Sequence, residues 1–122
     1  MFTPHFALAS FFMKYSLFIG RWQPFHEGHK VLVETALKQG KNVCIAIRNT
    51  PQSSTDPYTI KQREYMIRKA LKEYGERVVI ITIPDIEEIC IGRKVGYGVT
   101  RVKLPKMIED ISGTKIREEM KK

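Results

Sequence analysis

Three uninterrupted apolar runs constrain the fold of this chain more than any other feature of its sequence. They lie at residues 15–20 (YSLFIG), 42–47 (NVCIAI) and 78–83 (VVIITI). None alternates with polar residues, as a strand with one solvent-facing side would, so we expect strands that are covered on both faces. Such strands are typical of parallel sheets, and the pattern predicts a parallel sheet at the centre of the protein.

Helical patterns separate these runs. Residues 28–39 carry apolar side chains at positions 32, 33, 36 and 37 and stop at Gly40, which predicts a first helix with a glycine terminator. Thr59 and Gln62 form a capping-box pattern at the start of a second helix that ends at Gly75. The apolar residues that this helix is expected to bury are Ile60, Ile67, Ala70, Leu71 and Tyr74. Strand, helix, strand, helix, strand predicts a right-handed βαβαβ unit, the mononucleotide-binding half of a doubly wound fold.

Beyond Pro84 the pattern is weaker. Residues 88–92 and 100–104 predict two further short strands, and a last helix follows the sequence ISGT at 111–114. The fold class is therefore expected to be α/β: a Rossmann-like, doubly wound, mainly parallel five-stranded sheet with helices on both faces and strand order 3-2-1-4-5. Residues 13–122 are expected to form one domain. Residues 1–12 are an N-terminal extension, either upstream of the domain proper or an apolar arm that packs on a neighbouring subunit.

Charge and cysteine usage limit the partners and the compartment. The 122 residues carry a formal net charge of +8, and the segment 91–108 contains five basic residues and no carboxylate. Such a surface attracts phosphates, nucleic acid or anionic lipid. No run of about 18 apolar residues exists, so we expect no membrane span. Cys44 and Cys90 each lie in an apolar run without metal-like spacing, which favours two buried thiols in a reducing, cytoplasmic compartment.

The stretch GRWQPFHEGH at residues 20–29 predicts an anion site. Gly20 ends the first strand, and Pro24 keeps the chain extended until the first helix begins near Gly28. His26 and His29 then lie at the N-terminus of that helix, where unpaired amides and the helix dipole favour anions. Two imidazole donors at this position indicate a phosphate site.

Two other readings of the histidines compete with a phosphate site. Closely spaced histidines are also metal ligands, but the chain has three histidines in all and no cysteine pair, which disfavours zinc. The second alternative is structural: His26 caps the helix and His29 lies at the surface. Neither a GxGxxG fingerprint nor a GxxxxGK[ST] loop is present, so a phosphate site here must be of another kind.

A second helix-end anion site is predicted at ISGTKIR, residues 111–117. Ser112 is a good N-cap, Gly113 lets the backbone approach a ligand, and Thr114 and Arg117 add a hydroxyl and a guanidinium to the first turn. Capping alone would explain Ser112. It does not explain Arg117, because the dipole disfavours cations at a helix N-terminus.

Together these motifs resemble those of the HxGH nucleotidyltransferase superfamily, which includes cytidylyltransferases and adenylyltransferases. GRWQPFHEGH is similar to the HxGH signature, in the form found in the nicotinamide-mononucleotide branch, and ISGTKIR is similar to the ISSTxIR or ISGTxIR signature. PYTIKQREYMI at 57–67 looks like the family's PFTxxERxEMI segment, in which we expect a structural role for Arg63. The resemblance covers about residues 15–120, but the stretch between the third strand and the second motif is shorter than in the nicotinamide branch.

The resemblance implies transfer of a nucleotidyl group, AMP from ATP, to a small phosphorylated acceptor with release of pyrophosphate and no covalent intermediate. It implies Mg²⁺ held by the triphosphate and water, with no protein metal ligands. His26, His29 and Arg117 would be catalytic. The nucleotide-binding residues would be Gly20, Arg21, Trp22, Phe25, His26, Gly28, His29, Ser112, Gly113, Thr114 and Arg117. The candidate acceptor-binding residues are Trp22, Arg48, Arg93, Tyr97 and Arg101, and we further expect a homo-oligomer.

Three rival functions remain open at this point. A cytidylyltransferase using CTP and a sugar- or polyol-phosphate differs only in base and acceptor. A nucleotide-binding module would keep the phosphate site without turnover. Binding of RNA or DNA by the basic segment is disfavoured, because that segment has one aromatic residue, Tyr97, and no aromatic-rich recognition motif.

Overall fold

Three parallel strands form the sheet in the computed structural model, which describes residues 13–93, 96–111 and 113–120. Strand β1 is Tyr15–Gly20, β2 is Asn42–Asn49 and β3 is Val78–Pro84. The order is β1-β2-β3, with Tyr15 opposite Asn42 and Val43 opposite Val78. The three predicted strands and their parallel pairing are confirmed, since each β-branched or apolar run pairs over nearly its whole length.

Two helices connect the strands. Helix α1 is Glu27–Leu37 and α2 is Ile60–Ala70, followed by a 3₁₀ segment at Lys72–Arg77. The predicted capping box opens α2: Thr59 Oγ1 accepts from the Gln62 amide at 3.1 Å, and Gln62 Oε1 accepts from the Thr59 amide at 2.8 Å. The α-helical part ends at Ala70, earlier than predicted, because the last turns before Gly75 tighten into the 3₁₀ form.

The hydrophobic core lies between the two helices and one face of the sheet. Its central residues are the alternate β2 side chains Val43, Ile45 and Ile47, none of which is exposed. Helix α1 contributes Val33 and Leu37 to the same cluster, and the α2 side contributes the buried residues Ile67 and Leu71. Parallel strands joined by crossover helices bury one face in this way, and the resulting block supports the loops at the carboxyl ends of the strands.

The expectation of a sheet covered on both faces is not met in the described part of the chain. Leu17 and Ile81 lie on the face opposite the core, and they are 59% and 40% exposed. The segments 88–92 and 100–104, predicted to be strands four and five, form neither strand nor helix. Their apolar residues are exposed, as at Ile89 and Val99, because no strand pairs with them. The predicted order 3-2-1 is confirmed for the first three strands, whereas strands four and five are absent from the described residues.

The remaining elements are short. Helix α3 is Lys106–Glu109 and α4 is Gly113–Met120, which confirms the last predicted helix. Across the described ranges, no helix combines the length and apolar composition that a membrane span requires. Both cysteines are free thiols; Cys44 is half-buried, but Cys90 is exposed, so the prediction of two buried thiols is wrong for Cys90. It lies in the irregular segment after β3. The predicted extension 1–12 lies outside the described residues.

Arg63 joins three parts of the fold through its guanidinium group. Its side chain is 1% exposed, and its Nη1 donates to the Arg21 carbonyl at 2.8 Å and to the Arg48 carbonyl at 2.9 Å. Its Nε donates to the Thr59 carbonyl at 3.2 Å. Burial lowers the pKa of Arg63, while Asp56 opposes that effect. The structural role expected for Arg63 is confirmed.

Replacing Arg63 by methionine is expected to destabilise the fold, because the carbonyls of Arg21 and Arg48 each lose a buried charged donor, and the Arg48 carbonyl keeps its bond from the Thr50 amide. The free energy of unfolding should fall by about 2–5 kcal/mol in urea titrations, the scale of buried polar groups left unpaired. Arg68→Met on the same helix is the matched control. Arg68 makes an exposed pair with Glu64 at 3.2 Å, so its loss should cost at most about 0.5 kcal/mol. Equal effects of the two substitutions would contradict this assignment.

Candidate active site

A cleft of about 520 Å³ lies beyond the carboxyl end of β1. Its walls are the loop from Gly20 to Gln23, the start of α1, and the segment from Leu104 to Arg117. The volume is in the range of small-molecule sites. The two sequence motifs, which are far apart along the chain, therefore line one cavity.

His26 and His29 cap helix α1 reciprocally. The Nδ1 atom of His26 accepts from the His29 amide at 3.3 Å, and the Nδ1 atom of His29 accepts from the His26 amide at 3.3 Å. The two rings stack with centroids 3.6 Å apart and 16° between their planes. This is a capping box built from histidines, so His26 does cap the helix, as the structural alternative predicted. Both rings nevertheless line the cleft.

The caps determine where each imidazole carries its proton. A nitrogen that accepts from an amide is unprotonated, so the Nε2 atom of each neutral ring bears the hydrogen and is a donor. Burial and, to a lesser extent, the neighbouring His26 lower the pKa of His29 to about 4, against a hydrogen bond with the Pro24 backbone that raises it. Burial also lowers the pKa of His26. At neutral pH the site presents two neutral N–H donors rather than two cations.

Trp22 fills the floor of this site. It is 5% exposed, its indole N–H donates to the Ala46 carbonyl at 3.0 Å, and its ring meets the His29 ring edge-on at 4.9 Å. Its backbone φ of 55° is left-handed. A Cβ on Gly20 would lie 2.8 Å from the indole, so Gly20 makes room for Trp22. Phe25, also buried, packs edge-on against Trp22 at 5.6 Å.

The second motif reaches the first through Gln23. An Arg117 Nη1 hydrogen bond to the Gln23 carbonyl joins them, and a Cβ on Gly113 would lie 2.8 Å from that same oxygen. On the other side, a Cβ on Gly28 would come within 3.0 Å of the His26 ring and 3.3 Å of the Ile108 carbonyl. Glycine is thus required where the C-terminal helices meet the loop and α1. Ser112 and the side chain of Thr114 lie outside the described residues.

Gln23 is the site residue that sequence reasoning missed. It is 4% exposed, its Nε2 donates to the Tyr58 carbonyl at 2.9 Å, and its Oε1 accepts from the Tyr58 amide at 2.9 Å. The signal that could have found it is an amide side chain between an aromatic residue and a proline in an otherwise apolar loop. Such a residue is expected to satisfy backbone groups.

Both arginines near the strand ends have carboxylate partners. Arg21, which lines the cleft, has its Nη1 3.1 Å from Asp56 Oδ1. Arg48 at the end of β2 has its Nη2 2.6 Å from Asp85 Oδ1. The Arg48 hydrogen bond holds the pKa of the Asp85 carboxyl below its usual range. Arg48 does not line the cleft as described.

The basic segment is less closely connected to the site. Arg93, Tyr97 and Arg101 are exposed and do not line the cleft, so their acceptor role remains a prediction. Among the described cleft residues, Glu109 is the only carboxylate. The described part of the chain contains no group of three or more His, Cys, Asp or Glu residues that could hold a metal ion.

Comparison with known proteins gives a consistent family. The cytidylyltransferase-like family profile matches residues 17–89. The chain is 31% identical to a nicotinamide-nucleotide adenylyltransferase of Methanococcus maripaludis strain C6, over 84% of this chain and 75% of that protein. It is 41% identical to one of Pyrobaculum aerophilum, over 62% of this chain and 45% of that protein.

A solved structure is also similar to this chain. The crystal structure of a bifunctional NMN adenylyltransferase/ADP ribose pyrophosphatase from Francisella tularensis matches with 39% identity and a TM-score of 0.52. The match covers 60% of this chain but only 23% of that larger protein.

The histidine pair makes stability depend on pH. The folded pKa of His29, about 4, lies below its ordinary value of 6.5, so between these values the unfolded chain binds more protons. Stability should therefore rise with pH across this window, and the His29 imidazole should titrate near pH 4 by NMR. His29→Gln keeps a capping residue without the imidazole. Its free energy of unfolding should change less with pH; identical profiles would contradict the lowered pKa.

Proposed function

The chain belongs to the cytidylyltransferase-like family of nucleotidyltransferases, and from that premise we propose that it transfers AMP from ATP to nicotinamide mononucleotide or a similar small phosphorylated acceptor. Pyrophosphate is the second product. The observation that carries this proposal is the meeting of the histidine pair and Arg117 in one cleft at a helix N-terminus. Donors from two distant segments there suit a triphosphate better than a single phosphate.

The proposed reaction is one in-line displacement. An acceptor phosphate oxygen attacks the α-phosphorus, the bond from that phosphorus to the bridging oxygen breaks, and pyrophosphate leaves with the electron pair. The protein aligns the two reactants and stabilises the charge that builds on the phosphate oxygens. No covalent intermediate with the protein is needed.

The residues divide this work. His26 and His29 would donate from Nε2 to the α- and β-phosphates, together with those first-turn amides of α1 that the histidine caps do not engage. Arg117, with Ser112, Gly113 and Thr114, holds the β- and γ-phosphates. Neutral imidazoles suit this role, because a donor is needed at each ring and no proton has to be delivered to a phosphate.

Mg²⁺ fits the site only as an ion that the substrate brings. Glu109 is a single carboxylate in the described lining, and Mg²⁺ is usually bound through few carboxylates together with substrate phosphates and water. The ion would neutralise charge on the triphosphate. Arg117 and the histidine pair would then orient the phosphate chain around it.

The proposed acceptor-binding residues are Trp22, which would contribute its ring, and Arg48, Arg93, Tyr97 and Arg101, which lie outside the described lining of the cleft. Arg21 lines the cleft and is held by Asp56, and it would contact a phosphate of the nucleotide. A cytidylyltransferase using CTP is the second candidate. The two candidate functions differ only in the base of the nucleotide and in the acceptor. A homo-oligomeric, cytoplasmic enzyme completes the proposal.

The direct test is pyrophosphate release by the full chain with ATP or CTP and a panel of acceptors that includes nicotinamide mononucleotide. We expect ATP with nicotinamide mononucleotide to give equal amounts of pyrophosphate and dinucleotide. Release with CTP and a polyol-phosphate alone would favour the second candidate. Nucleotide binding by calorimetry without release on any acceptor would instead leave a binding module.

Substitutions that preserve the helix cap separate catalysis from capping. Asn is a good N-cap and Gln is a good capping-box partner, so His26→Asn and His29→Gln should keep the melting temperature close to that of the parent chain. Turnover should fall at least about tenfold in each, the scale of a lost transition-state donor. Lys30→Ala, next to the motif and 3.9 Å from Glu73, is the control and should retain turnover. Unchanged turnover in His29→Gln would remove His29 from the mechanism.

A further inference from the structure

The buried side-chain amide of Gln23 pairs with both backbone groups of one residue in a neighbouring loop. Its Nε2 donates to the carbonyl of Tyr58 and its Oε1 accepts from the amide of Tyr58, each at 2.9 Å. A backbone amide only donates and a carbonyl only accepts, so these partners fix which end of the side chain is oxygen. A side chain that replaces this amide must therefore both donate to the Tyr58 carbonyl and accept from the Tyr58 amide.

The main chain of the same residue supports the second motif. Its carbonyl oxygen accepts from Arg117, which is 94 positions away in the sequence. Gly113, the first residue of α4, approaches that oxygen so closely that a Cβ would lie 2.8 Å from it. The start of α4 therefore rests on the Gln23 peptide.

Other contacts hold the loop before Gln23 but not the Gln23 peptide itself. Arg63 holds the carbonyl of Arg21 at 2.8 Å, and Trp22 is anchored by its indole to Ala46 at 3.0 Å. The side chain of Gln23 makes the next anchor along the chain. It ties this peptide to Tyr58, which directly precedes the N-cap of α2.

We propose that Gln23 is a positioning residue for Arg117: its side-chain pair with Tyr58 fixes the carbonyl that in turn orients the Arg117 guanidinium in the cleft. The proposal rests on the proposed function only in taking a triphosphate as the ligand of Arg117. Gln23 itself need not touch the nucleotide. It acts through its own main chain.

Gln23→Glu turns this anchor into one that pH controls. An ionised carboxylate accepts from the Tyr58 amide but places a second acceptor against the Tyr58 carbonyl. A protonated carboxyl has the donor and acceptor pattern of the original amide. Burial raises the pKa of a carboxyl group, so the introduced carboxyl should ionise at a higher pH than an exposed glutamate does. His29 stays neutral there, since its pKa is about 4, and any protonation of His26 affects the parent chain equally at the same pH.

The experiment measures ATP affinity by calorimetry for the full chain across this range. At about pH 8.5, Gln23→Glu should bind ATP at least about tenfold more weakly than the parent chain, because the Arg117 guanidinium is displaced. At about pH 6 its ATP affinity should be within about threefold of that of the parent chain. Gln52→Glu is the matched control. Gln52 lies in the same loop region, is exposed, and donates to the Pro57 carbonyl at 2.8 Å. The ratio of the ATP affinity of Gln52→Glu to that of the parent chain should not change with pH.

A double-mutant cycle with Arg117→Gln tests whether Gln23 acts through Arg117. In the Arg117→Gln background, Gln23→Glu should weaken ATP binding no further, because the free-energy effects of substitutions at coupled residues do not add. An equal additional loss would overturn the proposal, as would a lower melting temperature with unchanged ATP affinity. If Gln23→Glu does not fold at high pH, Gln23→Met replaces it. Met removes both hydrogen bonds to Tyr58 without adding charge and should weaken binding equally at every pH.

A readout without nucleotide keeps this test separate from the proposed function. The side-chain N–H signals of Arg117 in NMR should be protected from exchange in the parent chain by the bond to Gln23. They should lose that protection in Gln23→Glu at about pH 8.5 and regain it at about pH 6, following the carboxyl group. Unchanged protection would overturn the positioning role. Absence of catalysis in the parent chain would overturn only the proposed function.

Discussion

The hydrogen bonds of one buried guanidinium determine the path of the loop on which the site depends. Arg63 binds the carbonyls of Arg21, Arg48 and Thr59, and so joins the end of β1, the end of β2 and the start of α2. With the loop held at Arg21, Trp22 can take its left-handed conformation and bury its indole. The next few residues contain the Gln23 carbonyl, which contacts the C-terminal helix, and the capping histidines. A buried charge is tolerated here because its N–H groups donate to three backbone carbonyls, which replace the water that the guanidinium loses on burial.

The electrostatics of the cleft separate neutral donors from charged groups. The two imidazoles are neutral and hold their protons on Nε2, because their Nδ1 atoms are engaged by the helix amides. The positive charges lie around them, and Arg21 and Arg48 are each paired with a carboxylate. An anion in the cleft therefore interacts with the oriented N–H dipoles of the imidazoles. To bind Arg21 or Arg48 as well, it must compete with the carboxylate of Asp56 or Asp85.

Much of the fold and part of the site could be predicted from the sequence. The strands and both connecting helices follow from local patterns: apolar runs, glycine terminators and the Thr59–Gln62 capping box. The segments 88–92 and 100–104 were mispredicted because a short apolar run is a strand only if another strand pairs with it. That is a tertiary condition. Cys90 is exposed for the same reason.

The site shows a similar division. The helix-end position of both histidines could be predicted from Pro24 and Gly28, whereas their mutual stacking could not. The link between Gln23 and Arg117 joins residues 94 positions apart, and no local pattern contains it. Gly113 was expected to let the backbone approach a ligand, but the structure places the Gln23 carbonyl against it. Gly20 ends β1 as expected, and the Trp22 ring lies against it.

The stacked histidine rings have a consequence for charge regulation. With their centroids 3.6 Å apart, a proton on one ring disfavours a proton on the other, and burial lowers the pKa of both. The pair is therefore neutral near pH 7, and it contributes donors to a bound phosphate without contributing a charge of its own.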